Sequence, residues 1–280
     1  VIVFMQKIAF LGQQGSFSSL VATQHFPQGF KAINCQYASE LFTNLVNQTA
    51  DIAIVPIENT LGSSVLEHYD LMYQWADQIQ IVQEVRLAIH HCLISLPQAK
   101  LDTIQTVYAH PQAFLQCSQF LQKFPHWQLV DAPNTTAAME SVLNSGQISH
   151  AFIGSEWLAK EHALSVLASN IENYTNNLTR FFLVRRRTLD ISTQANKCSL
   201  CFKLKHQPKS LLSALQIISQ DYINLTKIES RPILGSIFEY IFYVDFEFPS
   251  NQLASVKTII RELKKQVVEL KNFGFYEKCD

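Results

Sequence analysis

The chain has 280 residues, 48% of them hydrophobic and 16% charged, with a formal net charge of -1. That composition belongs to a globular chain and excludes a disordered or fibrous one, and basic runs no longer than Arg185-Arg186-Arg187 leave no stripe suited to nucleic acid. The length favours two domains over one.

The opening Val1–Met5 lacks the length and charged flank of a signal peptide, and no apolar stretch reaches the roughly 18 residues a membrane span needs. A cytoplasmic protein with no membrane partner is expected, with residues 1–4 an extension outside the fold. The expected elements then run in chain order. Strand Lys7–Leu11, a Gly-rich turn and helix Ser18–His25 come first, followed by strand Phe30–Cys35, helix Ser39–Asn47, strand Ile52–Pro56 and helix Val65–Gln74. This β-α rhythm implies a largely parallel sheet flanked by helices. Strands Ile79–Arg86, His91–Leu96 and Thr106–Ala109 follow, then helix Gln112–Phe124, strand Trp127–Val130, helix Thr135–Asn144 and strand His150–Ile153. The chain crosses near residue 80 and returns near 165, which divides residues 1–190 into lobes of about 6–80 plus 165–190, and 81–164. Ligands of such sheets bind at the carboxyl ends of the strands.

Strand Arg180–Arg187 precedes a polar linker, Thr188–Asn196. Its arginine triplet reads as a solvated strand end. Residues 196–280 then change pattern: strand Lys197–Leu204, helix Ser210–Gln220, strands Leu225–Ser230 and Phe238–Phe246, helix Gln252–Lys265 and strand Val267–Phe273. The β-α-β-β-α-β order is that of a ferredoxin-like domain. The six scattered cysteines read as free thiols. Cys198 and Cys201 have half-site spacing, yet residues three apart on a strand point to opposite faces.

Five segments gather groups that can do chemistry. Gly12-Gln-Gln-Gly-Ser-Phe-Ser18 can cradle an anion at a helix start, or simply make a tight turn capped by Ser16 or Ser18. Pro56-Ile-Glu58-Asn59-Thr-Leu-Gly62-Ser-Ser64 packs polar groups at a strand exit, where they meet a ligand or shape a turn and cap a helix. In His110-Pro-Gln112-Ala-Phe-Leu-Gln116, the two glutamines share a helix face. Asn134-Thr135-Thr136 suits an anion or plain capping. Asn177-Leu-Thr179-Arg180-Phe181 sets a hydroxyl, a guanidinium and a ring at the start of the return strand.

In this order and at these separations, LGQQGSFS, VPIENTLGSSV, HPQAFLQC and NLTRF resemble the prephenate dehydratases over about Lys7–Phe273, and INLTKIESRP and EYIFYVDFEF resemble that family's ACT domain. The resemblance implies a two-lobed, periplasmic-binding-protein-like catalytic domain plus a ferredoxin-like ACT domain, an α/β chain overall. It also implies decarboxylative dehydration of prephenate to phenylpyruvate in phenylalanine biosynthesis, with no metal or organic cofactor. Thr179 would be the catalytic hydroxyl, helped by Glu58, Asn59, Ser64, Gln116, Thr135 and Thr136 around the substrate. Arg180 would meet a substrate carboxylate or brace the site through an internal pair. Phenylalanine would be the allosteric effector at Ser210, Leu211, Asn224, Glu229, Ser230 and Arg231, in a homodimer or dimer of dimers. Two departures stand out. Ala109 replaces a usual serine before His110, and Lys209 and Tyr222 replace glycines of the effector region. Arogenate dehydratase, which shares the scaffold, and a non-catalytic ACT-regulated ligand-binding protein are the competing readings.

Overall fold

The computed structural model describes residues 5–188, 190–220, 222–233 and 239–278. The expected extension 1–4, linker residue 189 and the first residue of the strand expected at Phe238–Phe246 therefore lie outside the described residues.

Strand β1 (Lys7–Leu11) turns through Gly12 and Gly15 into α1 (Phe17–His25). Gly15 holds φ +105°, and a side chain there would run into Leu158, so only glycine fits this turn. Strand β2 (Lys31–Cys35), α2 (Ala38–Val46), β3 (Ile52–Asn59), the short β4 (Ser63–Ser64), α3 (Leu66–Trp75) and β5 (Ile79–Ala88) follow. Next come β6 (Cys92–Ser95), β7 (Thr106–Ala109), α4 (Pro111–Gln116), α5 (Ser118–Leu121), β8 (Gln128–Asp131), α6 (Thr135–Ser145) and β9 (His150–Gly154). Helix α7 (Glu156–Glu161), β10 (Ser165–Ala168) and β11 (Leu178–Arg186) complete the first part of the chain.

Among the described residues the strands of this part form two sheets, ordered β2-β1-β3-β11-β5 with β4 on β3, and β10-β6-β9-β7-β8. Strands β7, β8 and β9 run parallel. Consequently α4, α6 and α7 start from the same edge of their sheet, with His110, Asn134 and Ser155 as side-chain N-caps.

The remaining elements are β12 (Lys197–Lys203), α8 (Ser210–Ile218), β13 (Asn224–Pro232), β14 (Tyr240–Glu247), α9 (Leu253–Gln266) and β15 (Glu269–Tyr276). Their sheet order β13-β14-β12-β15 is that of the expected ferredoxin-like domain. Cys198, Leu200 and Phe202 of β12 pack with Ala214 and Ile218 of α8 and Val256, Ile260 and Leu263 of α9. Cys201 is buried as well but alternates to the other face. Cys35, Cys92, Cys117, Cys198 and Cys201 are all buried, and none of these five forms a disulfide.

The chain divides into two compact units. One comprises residues 1–41, 54–65 and 86–181 and the other residues 42–53, 66–85 and 182–280. The first has cores around Leu93, Val107, Trp127 and Ala151, and around Ile94, Met139, Val142 and Phe152. In the second, the face of the four-stranded sheet opposite α8 and α9 is covered too. Tyr243 donates to the carbonyl of Tyr69 in α3 at 3.1 Å, and Lys197 lies 2.8 Å from Glu84 of β5, both fully buried.

Three local expectations need correction. The single helix expected over Gln112–Phe124 is broken at Cys117, because Asn173 inserts its side chain there, donating to Leu115 O and Ser118 Oγ and accepting from the Gln119 N–H. Residues 63 and 64 add a short strand that the pattern does not announce, pairing back onto Asn59 and Glu58 as β4. The arginine triplet is not simply solvated: Arg187 donates to the carbonyls of Ala76 and Asn272 at 2.7 and 2.6 Å, and burial lowers its pKa.

Gly274 carries a stability prediction. Its φ is +149°, and a Cβ there would stand 2.6 Å from the Ile81 carbonyl, a backbone atom that cannot swing aside. Gly274→Ala should destabilise the protein by about 1–3 kcal/mol, read from the midpoint of chemical denaturation.

Candidate active site

The site is assembled on the exits of β3 and the entry of β11. The turn after β3 is laced to the segment before β11: the Thr60 N–H donates to Leu178 O at 2.9 Å, and Thr60 Oγ1 donates to Asn176 O while accepting from the Leu178 N–H. With the backbones fixed, side chains pair in alternation. Asn59 meets Thr179, and Glu58 meets Arg180, as strand periodicity requires.

Asn59 Nδ2 donates to Thr179 Oγ1 at 2.9 Å and to Asn177 Oδ1 at 2.7 Å, while its Oδ1 accepts from the Leu61 N–H at 2.8 Å. Both ends of this amide are thus committed. Asn177 is fully buried and its Nδ2 donates to Gln116 Oε1 at 3.2 Å. Gln116 Oε1 also receives His91 Nε2 at 2.8 Å. Burial lowers the His91 pKa, against the opposing effect of the Gln116 hydrogen bond.

Arg180 is 7% exposed and its Nε lies 2.9 Å from Glu58 Oε1. Ser64 sits across β4 from Glu58. Thr135 and the buried Thr136 open α6, and Thr135 occupies room that the missing side chain of Gly154 provides. Thr60, Leu61, Asn173, Tyr174, Thr175 and Asn176, chain neighbours of Asn59 and Asn177, line an open cavity of about 510 Å³. The glycine turn after β1 satisfies itself: the Gly15 N–H donates to Ser19 Oγ, and Ser16 Oγ caps the Ser19 N–H. Among the described residues, no three His, Cys, Asp or Glu side chains are placed to hold a metal ion.

Sequence reasoning singled out Thr179, Asn59 and Gln116 but passed over Asn177 and His91, which join them. Asn177 stands two residues before Thr179, on the same side by period-2 spacing, and that was the available signal. No local pattern marks His91, whose partner Gln116 lies on another element.

Residues 8–189 match the family described as prephenate dehydratase. The chain belongs to the prephenate dehydratase family. A bifunctional chorismate mutase/prephenate dehydratase of Enterobacter agglomerans is 37% identical over 276 residues, covering 96% of this chain and 70% of that one. Among solved structures, a prephenate dehydratase from Arthrobacter aurescens in complex with L-Phe superimposes with a TM-score of 0.86 at 27% identity, over 96% of this chain and 89% of that one. A protein described as GqqA, a novel type of quorum quenching acylase, shares the fold with a TM-score of 0.87 at 25% identity, over 98% of both chains. This prephenate dehydratase family member is accordingly a lyase with a periplasmic-binding-protein-like α/β fold and a C-terminal ACT-like domain.

The Glu58–Arg180 pair generates a prediction. Glu58→Gln would remove the charge that faces the largely buried guanidinium at 2.9 Å, but Glu58 itself is about a third exposed, which tempers the loss. Stability should fall by about 1 kcal/mol, measured by thermal and urea unfolding.

Proposed function

We propose that the chain converts prephenate into phenylpyruvate, with residues 1–190 as the catalytic domain and residues 196–280 as an ACT regulatory domain, in the cytoplasm. The bond to the ring carboxylate breaks as carbon dioxide departs, its electron pair moves through the ring, and the ring hydroxyl is expelled with aromatisation driving the step. Thr179 assists the departing oxygen. The observation that carries this reading is the Asn59 amide, which can only donate at Nδ2: by donating to Thr179 Oγ1 it occupies the oxygen and leaves the threonine proton for another acceptor.

Positioned proton donation contributes about 10²–10⁴-fold in rate. In this reading Gln116, Ser64, Thr135 and Thr136 orient the substrate's two carboxylates, with the positive end of α6 beside them. Arg180 braces Glu58 rather than touching substrate. Thr179→Ala and Thr179→Val should lower kcat by about two to four orders of magnitude without loss of fold, and Thr179→Ser should keep most of the activity. Assaying prephenate and arogenate side by side fixes the preferred substrate. Wild-type-like turnover in Thr179→Val would remove the hydroxyl from the mechanism.

Phenylalanine is the proposed effector. The L-Phe complex of the Arthrobacter relative supports it, and so does a cavity of about 140 Å³ lined by Ser210, Leu211, Leu204, Tyr240 and Phe242. Asn224, Glu229, Ser230 and Arg231 lie on β13, an edge strand of its sheet. An edge strand with exposed Leu225 and Ile228 suits side-by-side pairing with a second copy, as a homodimer or dimer of dimers. Lys209 caps α8 at φ +68°, a left-handed conformation that glycine adopts without strain. Lys209→Gly should therefore tighten inhibition by phenylalanine, compared by titration calorimetry and by activity; absence of binding to both proteins would leave the domain an oligomerisation element.

A further inference from the structure

The side-chain amides behind Thr179 form a continuous hydrogen-bonded chain, Asn59–Asn177–Gln116, that ends on His91. Such a chain has two self-consistent directions, because reversing every amide exchanges each donor for an acceptor. Only one direction presents an N–H to Thr179. The Leu61 N–H, which can only donate, meets Asn59 Oδ1 and selects that direction at one end. At the other end Gln116 then presents its oxygen, and His91 must supply the proton.

His91 is built for that task. It is 5% exposed, its backbone N–H is held by Glu172 Oε2 at 2.9 Å, and its ring meets the edge of Phe17 at 5.9 Å. A neutral imidazole has one N–H, and with Nε2 facing a carbonyl oxygen the proton belongs there. Nδ1 is buried without a hydrogen-bond partner among the described residues, at a cost of about 1–3 kcal/mol.

Resting on the dehydratase reading above, we propose that His91 is a positioning residue: from behind Gln116, its Nε2–H holds the far end of the amide chain in the direction that the Leu61 N–H selects at the Asn59 end, so that Thr179 receives a hydrogen bond and keeps its own proton for the substrate. His91 never touches substrate. Beside it, Glu172 and His90 hold each other at 2.8 Å, Glu172 favouring a charge on His91 and His90 opposing it.

Three variants and one spectroscopic measurement test this. His91→Leu and His91→Phe remove the donor and also the orphaned Nδ1, so they should melt no lower than the wild type by more than a few degrees, yet show kcat reduced by about 10- to 100-fold with KM within about twofold, the loss of one buried hydrogen bond. His91→Gln carries an N–H at similar reach and should restore kcat to within a few-fold. A structural role would instead make activity follow melting temperature across the series, with Gln worse than Leu, and would overturn the proposal. So would kcat within twofold of wild type in the Leu and Phe variants. Should both apolar variants fail to fold, ¹⁵N NMR of histidine-labelled wild type decides: a neutral ring protonated at Nε2 supports the assignment, and an Nδ1–H ring overturns it. Prephenate turnover by the wild type is measured first, so that an inactive wild type counts against the dehydratase reading rather than against His91.

Discussion

One amide governs the site. Asn59 has a nitrogen that must find acceptors and an oxygen that must find a donor, and the fold supplies all of them: Thr179 and Asn177 on one side, the Leu61 N–H on the other. The turn after β3 is held to this amide by the Leu61 N–H, and the segment before β11 is tied to the turn by Thr60. A buried amide left half-satisfied would be costly, so the same bonds that organise the chemistry also hold two distant stretches of chain together.

The second unit relies on a different constraint. Its four-stranded sheet is apolar toward α8 and α9, as β12 alternation implied, but the other face is buried as well and carries polar groups that must be matched individually. Lys197 answers Glu84 and Glu247, and Ser199 bridges Asp245 and Tyr276. Buried pairs of this kind add specificity of register more reliably than net stability, because desolvating both partners offsets much of their attraction.

Sequence periodicity was sufficient for most elements because each buries one face: β12, α8 and α9 read directly from alternation or 3.6-residue spacing. It failed where a distant side chain overrides local preference. The break at Cys117 depends on Asn173, and nothing within Gln112–Phe124 announces it. Helix α7 and strand β10 went unread because they are short, and Arg187 was mistaken for a solvated cation because its acceptors are backbone carbonyls from remote segments. In the site, Thr179, Asn59 and Gln116 were visible as members of compact segments, whereas Asn177 and His91 acquire meaning only through partners on other elements.

The orientation of the amide chain also bears on how such a protein ages. Spontaneous hydrolysis of the Asn59 side chain to an aspartate would change neither shape nor volume, yet it would turn the donor facing Thr179 into a second acceptor and add a charge. The threonine proton would then be drawn to that carboxylate instead of the substrate. The same change would set an acceptor against Asn177 Oδ1, so one altered atom would silence turnover and loosen the tie between the two stretches of chain together.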